Sequence, residues 1–272
     1  MLYRVFVLKL SHSTSLWAVT LFGLWCASPV LQAGYAETLG ILLLLGGLYN
    51  LLQHRYLPAI PWLAGLSITR PGMVSFAAML AGMWLVRHLK DRRGVDHFST
   101  SERWQLGLLA GLSAALGLAW PAVAWIVTGR PDAYTATELA WRAVTPHPHL
   151  QLFEGWLSLG ASLWGDFWAP MFVLLVMVLA AFLIFRPSMK TLGNELRLWT
   201  AAYLLYLFLV FNPQSSTFRI LMPAFPLIGA FAVWSSKWSR TAKWFILVGL
   251  TITQLVWLSI CWVYVNPDFT PP

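Results

Sequence analysis

The sequence is short of charge. Only 10% of its 272 residues are Asp, Glu, Lys or Arg, where a soluble domain carries roughly a quarter. Mean hydropathy is +0.66 and 58% of the residues are hydrophobic, which excludes an ordinary soluble domain. Cysteine is nearly absent. Cys26 and Cys261 both fall in apolar stretches, which favours core residues over a disulfide or a thiolate metal site. There is no GxSxG elbow, no Walker loop and no dinucleotide fingerprint. No strong internal repeat is present, so the inverted-repeat signature of a secondary transporter is lacking. The start, MLYRVFVLKLSHSTS, has a basic flank but no convincing cleavage site after it, so no signal peptide is expected.

What is present is long apolar sequence. About 20 apolar residues cross the roughly 30 Å hydrocarbon core. On that measure the chain reads as segments at about 15–33, 36–52, 56–69, 72–89, 104–128, 166–185, 196–212, 218–235 and 244–265. The expected fold is all-α: a polytopic integral membrane helix bundle of about nine transmembrane helices, forming a single domain over residues 1–272. The third segment is short and carries Pro58 and Pro61, which predicts a kink or tilt. A re-entrant hairpin at Arg70-Pro71 is the alternative there. The seventeen Trp suit interfacial belts. Gly46-Gly47 and the small residues Gly107, Gly111, Ala114, Ala115 and Gly117 read as packing faces.

The formal charge of +8 is distributed as a topology signal, so no nucleic-acid partner is expected. Fourteen of the eighteen basic residues fall in the N-terminal tail and in 53–55, 87–103, 186–197 and 236–243. By the positive-inside rule those connections are cytoplasmic. The N-terminus is then inside and the C-terminus outside. The protein is expected in a plasma membrane, and its Trp- and Ala-rich composition points to a bacterial one. The basic loop 87–103 reads as an orientation signal, with binding of anionic lipid heads as the alternative. No charge falls at the middle of a segment, which argues against an ion-coupled transporter.

Arg70, Arg130, Arg142 and Arg219 are the outer exceptions. Arg70 ends the third segment and Arg219 opens the eighth, both against apolar helix. A guanidinium there can pair with a carboxylate or grip a phosphate, where the plainer role is snorkelling. Glu37 begins the second segment, so the hairpin geometry of Pro29 to Gly72 puts Glu37 and Arg70 at one membrane surface. Residues 129–165 form a long non-cytoplasmic loop rich in Trp, expected to lie at the interface. It carries Asp132, Tyr134, Glu138, Arg142, His147, His149 and Glu154. Glu138 and Arg142 are four apart and read as an ion pair on a helical piece. His147 and His149, with Glu154 and Asp166, invite a zinc reading. There is no HExxH and a proline separates the pair, so no metal and no cofactor are expected.

Three stretches resemble the GT-C class of membrane glycosyltransferases, specifically the PIG-V type of mannosyltransferase. Ala27-Ser28-Pro29 followed by Gly34-Tyr35-Ala36-Glu37-Thr38-Leu39 is similar to that group's Pro-Ser/Thr, then Tyr-Ser/Thr-Glu-Ser/Ala-Leu. Ala64-Gly65-Leu66-Ser67-Ile68-Thr69-Arg70-Pro71-Gly72 is similar to its AGLL…TRPxG. Thr217-Phe218-Arg219-Ile220-Leu221-Met222-Pro223-Ala224-Phe225-Pro226 is similar to its RYLLPAFPL. Together they span about residues 25 to 230. The resemblance implies a polyprenyl-phosphate-linked sugar donor, mannose above all, and inverting transfer on the non-cytoplasmic face. It also implies that Arg70, Arg219, Glu37 and Tyr35 bind the substrate and its phosphate. The family's catalytic aspartate, in a WDSxxY-like first outer loop, is not found in this chain. About two to four N-terminal helices are therefore expected to be missing. Asp132, Glu138 and Asp166 are the outer carboxylates available to contribute. Two other functions stay open: a non-catalytic membrane subunit or scaffold of the same fold, and a transporter or flippase for a lipid-linked substrate.

Overall fold

Helices make up the regular structure throughout the computed structural model, which describes residues 1–70, 72–140 and 151–263; among them there is no strand. α1 (Leu2–Val7) and α2 (His12–Gly23) come first. The Ser11 hydroxyl accepts the Thr14 amide and caps α2. The expected segment 15–33 is not one helix: α2 stops at Gly23 and a 3-10 turn, Ser28–Gln32, carries Pro29. Proline cannot donate to a helical ladder and its ring crowds the preceding turn. α3 (Glu37–Leu52) opens on Glu37, where the N-terminal end of the helix dipole favours a carboxylate. α4 (Tyr56–Thr69) contains Pro61.

α5 (Met73–Arg92) and α6 (Thr100–Gly117) form a hairpin, and α7 (Ala119–Thr128) resumes after a break at Leu118. α8 (Ala133–Ala140) and α9 (Glu154–Trp164) lie in the expected interfacial segment. α10 (Ala169–Phe185), the single turn α11 (Pro187–Lys190) and α12 (Gly193–Val210) follow. The expected segment 218–235 is also interrupted. It consists of the one-turn α13 (Thr217–Ile220), a 3-10 turn Met222–Ala224, and α14 (Pro226–Ser235). Pro223 and Pro226 account for the break. α15 (Arg240–Leu258) runs into a π-turn, Ser259–Val263.

Among the described residues three stretches are long and apolar enough to cross a membrane: Thr100–Thr128, Asp166–Phe185 and Arg240–Trp262, of 29, 20 and 23 residues. That supports a membrane protein. Along α10, Leu174, Leu179 and Phe182 are each more than half exposed. Contiguous apolar surface of that kind needs a covering, which lipid supplies.

The chain resolves into two compact units. The first comprises Met1–Trp62, Phe182–Thr200 and the described residues from Gln214 on. Its core forms where small residues admit large rings. A Cβ on Gly46 would lie 2.1 Å from the Trp62 ring, and one on Gly229 would lie 2.4 Å from Phe6. Phe6 is fully buried and meets Phe225 edge-on at 5.6 Å. The second unit comprises Leu63–Ala181 and Ala201–Pro213. Phe76, Met79 and Leu80 of α5 and Leu106 and Leu109 of α6 are buried in it. Gly155 lets α9 approach backbone, since a Cβ there would sit 2.5 Å from Asn212 Cα.

Candidate functional site

The two proline-broken stretches of the first unit, 24–36 and 214–225, meet. The Trp25 indole N–H donates to the Phe218 carbonyl at 2.9 Å, and the two rings stand 6.2 Å apart. Each stretch is also tied to itself. Ser28 Oγ donates to the Phe22 carbonyl, and Thr38 Oγ1 donates to the Leu31 carbonyl at 2.6 Å. Thr217 Oγ1 donates to Gln214 O at 2.5 Å and accepts the Gln214 amide at 2.9 Å. Gln254 of α15 donates to the Gly23 and Trp25 carbonyls at 3.3 and 3.2 Å. These bonds give carbonyls in and beside the irregular backbone their partners.

These ties set Glu37 against Arg219. Glu37 Oε1 lies 3.1 Å from Arg219 Nε, with side-chain exposures of 2% and 16%. The approach is an ion pair without hydrogen-bond alignment at Nε. The Arg219 guanidinium carbon also sits 4.7 Å from the centroid of the Tyr35 ring, an attraction between cation and ring face. The two terminal nitrogens of Arg219 have no ion-pair or hydrogen-bond partner among the described residues. Nearby in sequence, Ser216 is buried, and its hydroxyl finds no partner among the described residues. Tyr35 is 39% exposed and marks the open side of the cluster. The pair as a whole is neutral. An anion would therefore be held by the directed N–H donors of Arg219 and not by net charge.

The other expected site residues lie in the second unit. Arg70 ends α4, where its amide donates to Leu66 O at 2.9 Å and its side chain is half-buried. Pro71 beside it lies outside the described residues. Asp132 is exposed and pairs with Arg130 at 2.9 Å. The hydrogen bond from Arg130 holds its carboxyl below the usual range. Glu138 is half-buried on α8. Arg142, His147 and His149, and with them the expected Glu138–Arg142 pair, lie outside the described residues. Asp166 is exposed at the start of a 3-10 turn, Asp166–Trp168. Among the described residues no three His, Cys, Asp or Glu side chains group as a metal site would require.

Sequence reasoning put Glu37 and Arg219 at one face but did not pair them, and it missed Trp25 and Ser216. The signals for those two were faint: a tryptophan just before the Pro29 break, and serines in the polar run ahead of Arg219. No protein-family model matches the chain, and neither does a curated protein or a solved structure.

Proposed function

We propose that the chain is a membrane glycosyltransferase of about nine spans and GT-C type. In this reading it takes a sugar, mannose above all, from a polyprenyl-phosphate donor and transfers it to an acceptor on the non-cytoplasmic face. The observation that supports it is the Glu37–Arg219–Tyr35 cluster, built from two of the three stretches that resemble the mannosyltransferases. Glu37 fixes the guanidinium from its Nε side. The terminal N–H groups then face a lipid phosphate and stabilise its charge as the sugar–phosphate bond breaks. As that bond breaks, the acceptor oxygen bonds to the anomeric carbon and a carboxylate takes the hydroxyl proton. The resemblance gives Arg70 a phosphate-binding role, identifies no catalytic base in this chain, and leaves Asp132, Glu138 and Asp166 as the outer carboxylates available to contribute.

The runner-up, a non-catalytic subunit of the same fold, has its own observation. Glu37, the carboxylate of the cluster, is already committed to Arg219, which makes it a poor base. One experiment separates the two. Membranes containing the native chain are given labelled polyprenyl-phosphate mannose, and donor binding and transfer are both measured. Transfer that falls about 10²- to 10³-fold in Arg219→Ala, the usual cost of one charge-stabilising donor, supports the enzyme. Binding that depends on Arg219 without transfer supports the subunit. No binding and no transfer sinks both.

A further inference from the structure

A groove of about 410 Å³ runs through the first unit beside α14. Leu227, Ala230 and Phe231 of α14 line it, with Ile246 and Leu250 of α15 across from them. One end lies by Trp25, Leu221 and Met222, next to the stretch that carries Arg219. The other end lies by Trp234, where Arg186 and Ser188 supply its polar groups. From Pro226 to Trp234 the rise along α14 is about 12 Å at 1.5 Å per residue, and the 3-10 turn Met222–Ala224 adds about 4 Å. That is close to half of a roughly 30 Å hydrocarbon core, the depth of one leaflet.

Arg186 is unusual among the arginines. Its guanidinium carbon sits 4.9 Å from the Trp234 ring centroid and 5.4 Å from that of Phe182. Those contacts set the cation against ring faces and supply its N–H groups with no hydrogen-bond acceptor. Among the described residues Arg186 has no carboxylate in ion-pair reach and no side-chain hydrogen bond. The connections at this end, 186–197 and 236–243, hold Arg186, Lys190, Arg197, Lys237, Arg240 and Lys243 against one carboxylate, Glu195. Lys9 already pairs with Glu195 at 3.4 Å. An apolar groove one leaflet deep thus ends in donors that lack an anion, within a strongly basic surround. Such a surround attracts acidic lipid.

We propose that this groove holds one acyl chain of an anionic glycerophospholipid, with the lipid phosphate on Arg186 and Ser188. This site lies at the end of α14 away from Arg219 and is separate from the donor site proposed above.

The test is native mass spectrometry of the purified full chain from nonionic detergent, with phosphatidylglycerol and phosphatidylcholine supplied in equal amounts. The native chain should retain one phosphatidylglycerol, preferred on the order of tenfold, the scale of a charge-assisted bidentate contact. Arg186→Gln should abolish the preference, and Arg186→Lys, which keeps the charge but not the fork, should keep part of it. Leu250→Trp leaves Arg186 in place and fills the groove, so it should lower retention of both lipids about tenfold. Equal retention of the two lipids by the native chain overturns the proposal. So does an unchanged adduct in Leu250→Trp. Release of the adduct by inorganic phosphate alone would also overturn it, because the site would then hold a free anion and not a lipid.

Discussion

Two clusters in this protein join arginine to carboxylate, and they differ in what they leave over. In the α5–α6 hairpin, Arg87 reaches Glu102 at 2.8 Å and Asp96 at 3.4 Å, and Arg103 reaches Asp91 at 2.5 Å. Both guanidinium groups also flank the Phe98 ring, at 4.6 and 5.5 Å. Ser99 caps α6 by accepting the Glu102 amide, with Glu102 three residues on as in a capping box. These partners are local, and the arginine donors that reach them close the turn. At Glu37 and Arg219 the partners are distant in sequence, the carboxylate is buried, and two donor nitrogens have no partner among the described residues. Spent donors suit a structural cluster, and donors left over suit the phosphate contact proposed above for Arg219.

The sharpest way to break that contrast is to remove one partner of the buried pair. Glu37→Gln strands the Arg219 charge in a poorly hydrated site, and breaking such a pair costs about 3–5 kcal/mol. The thermal midpoint in detergent should fall accordingly. Adding Arg219→Met should restore much of the loss, because an apolar replacement of a buried pair is often neutral. A Glu37→Gln midpoint equal to that of the native chain would mean the pair is solvated, and the contrast with the hairpin would fail.

The hairpin gives the middle-sized effect. The Glu102 and Asp96 side chains are 27% and 37% exposed, so water and salt screen them. Arg87→Gln should cost about 1 kcal/mol by the same melting measurement, and less in high salt. A loss as large as that of Glu37→Gln would show that locality does not separate the two clusters.

The sequence made some of this plain and hid the rest for physical reasons. The apolar runs at 36–52, 166–185 and 244–265 correspond to α3, α10 and α15 within a few residues, because uninterrupted Leu, Val and Ile leave a helix as the way to satisfy the backbone in lipid. The runs 15–33 and 218–235 are also apolar, yet both break at prolines. Hydropathy weighs side chains and is blind to a missing amide. Glu37 and Arg219 stood out as charges against apolar helix, and topology alone put them on one face. Their 3.1 Å approach accompanies the Trp25–Phe218 bond, a contact between two irregular stretches that no periodicity encodes. The Arg186 groove was illegible for the same reason: in sequence Arg186 is one more residue in a basic connection, and only packing on Trp234 sets it apart.

The smallest effect is a pH dependence confined to the hairpin. Asp91 accepts the Phe98 amide at 2.9 Å and faces Arg103, and these contacts, the amide first, hold its carboxyl below the ordinary 3.8. A group whose folded value is depressed contributes stability that is fully present above its unfolded value. The contribution fades as pH falls below that value toward the folded one. The hairpin should therefore be indifferent to pH near neutrality and loosen only below about pH 4. Hydrogen exchange at the Phe98 amide, followed from about pH 5 to about pH 3 and compared with Asp91→Asn, reads this directly. The native chain should lose protection relative to the variant across that window, since the variant has no proton to gain at residue 91. Parallel profiles would show that Arg87 and Glu102 hold the turn without Asp91. The hairpin would then rest on the Arg87 contacts to Glu102 and Asp96.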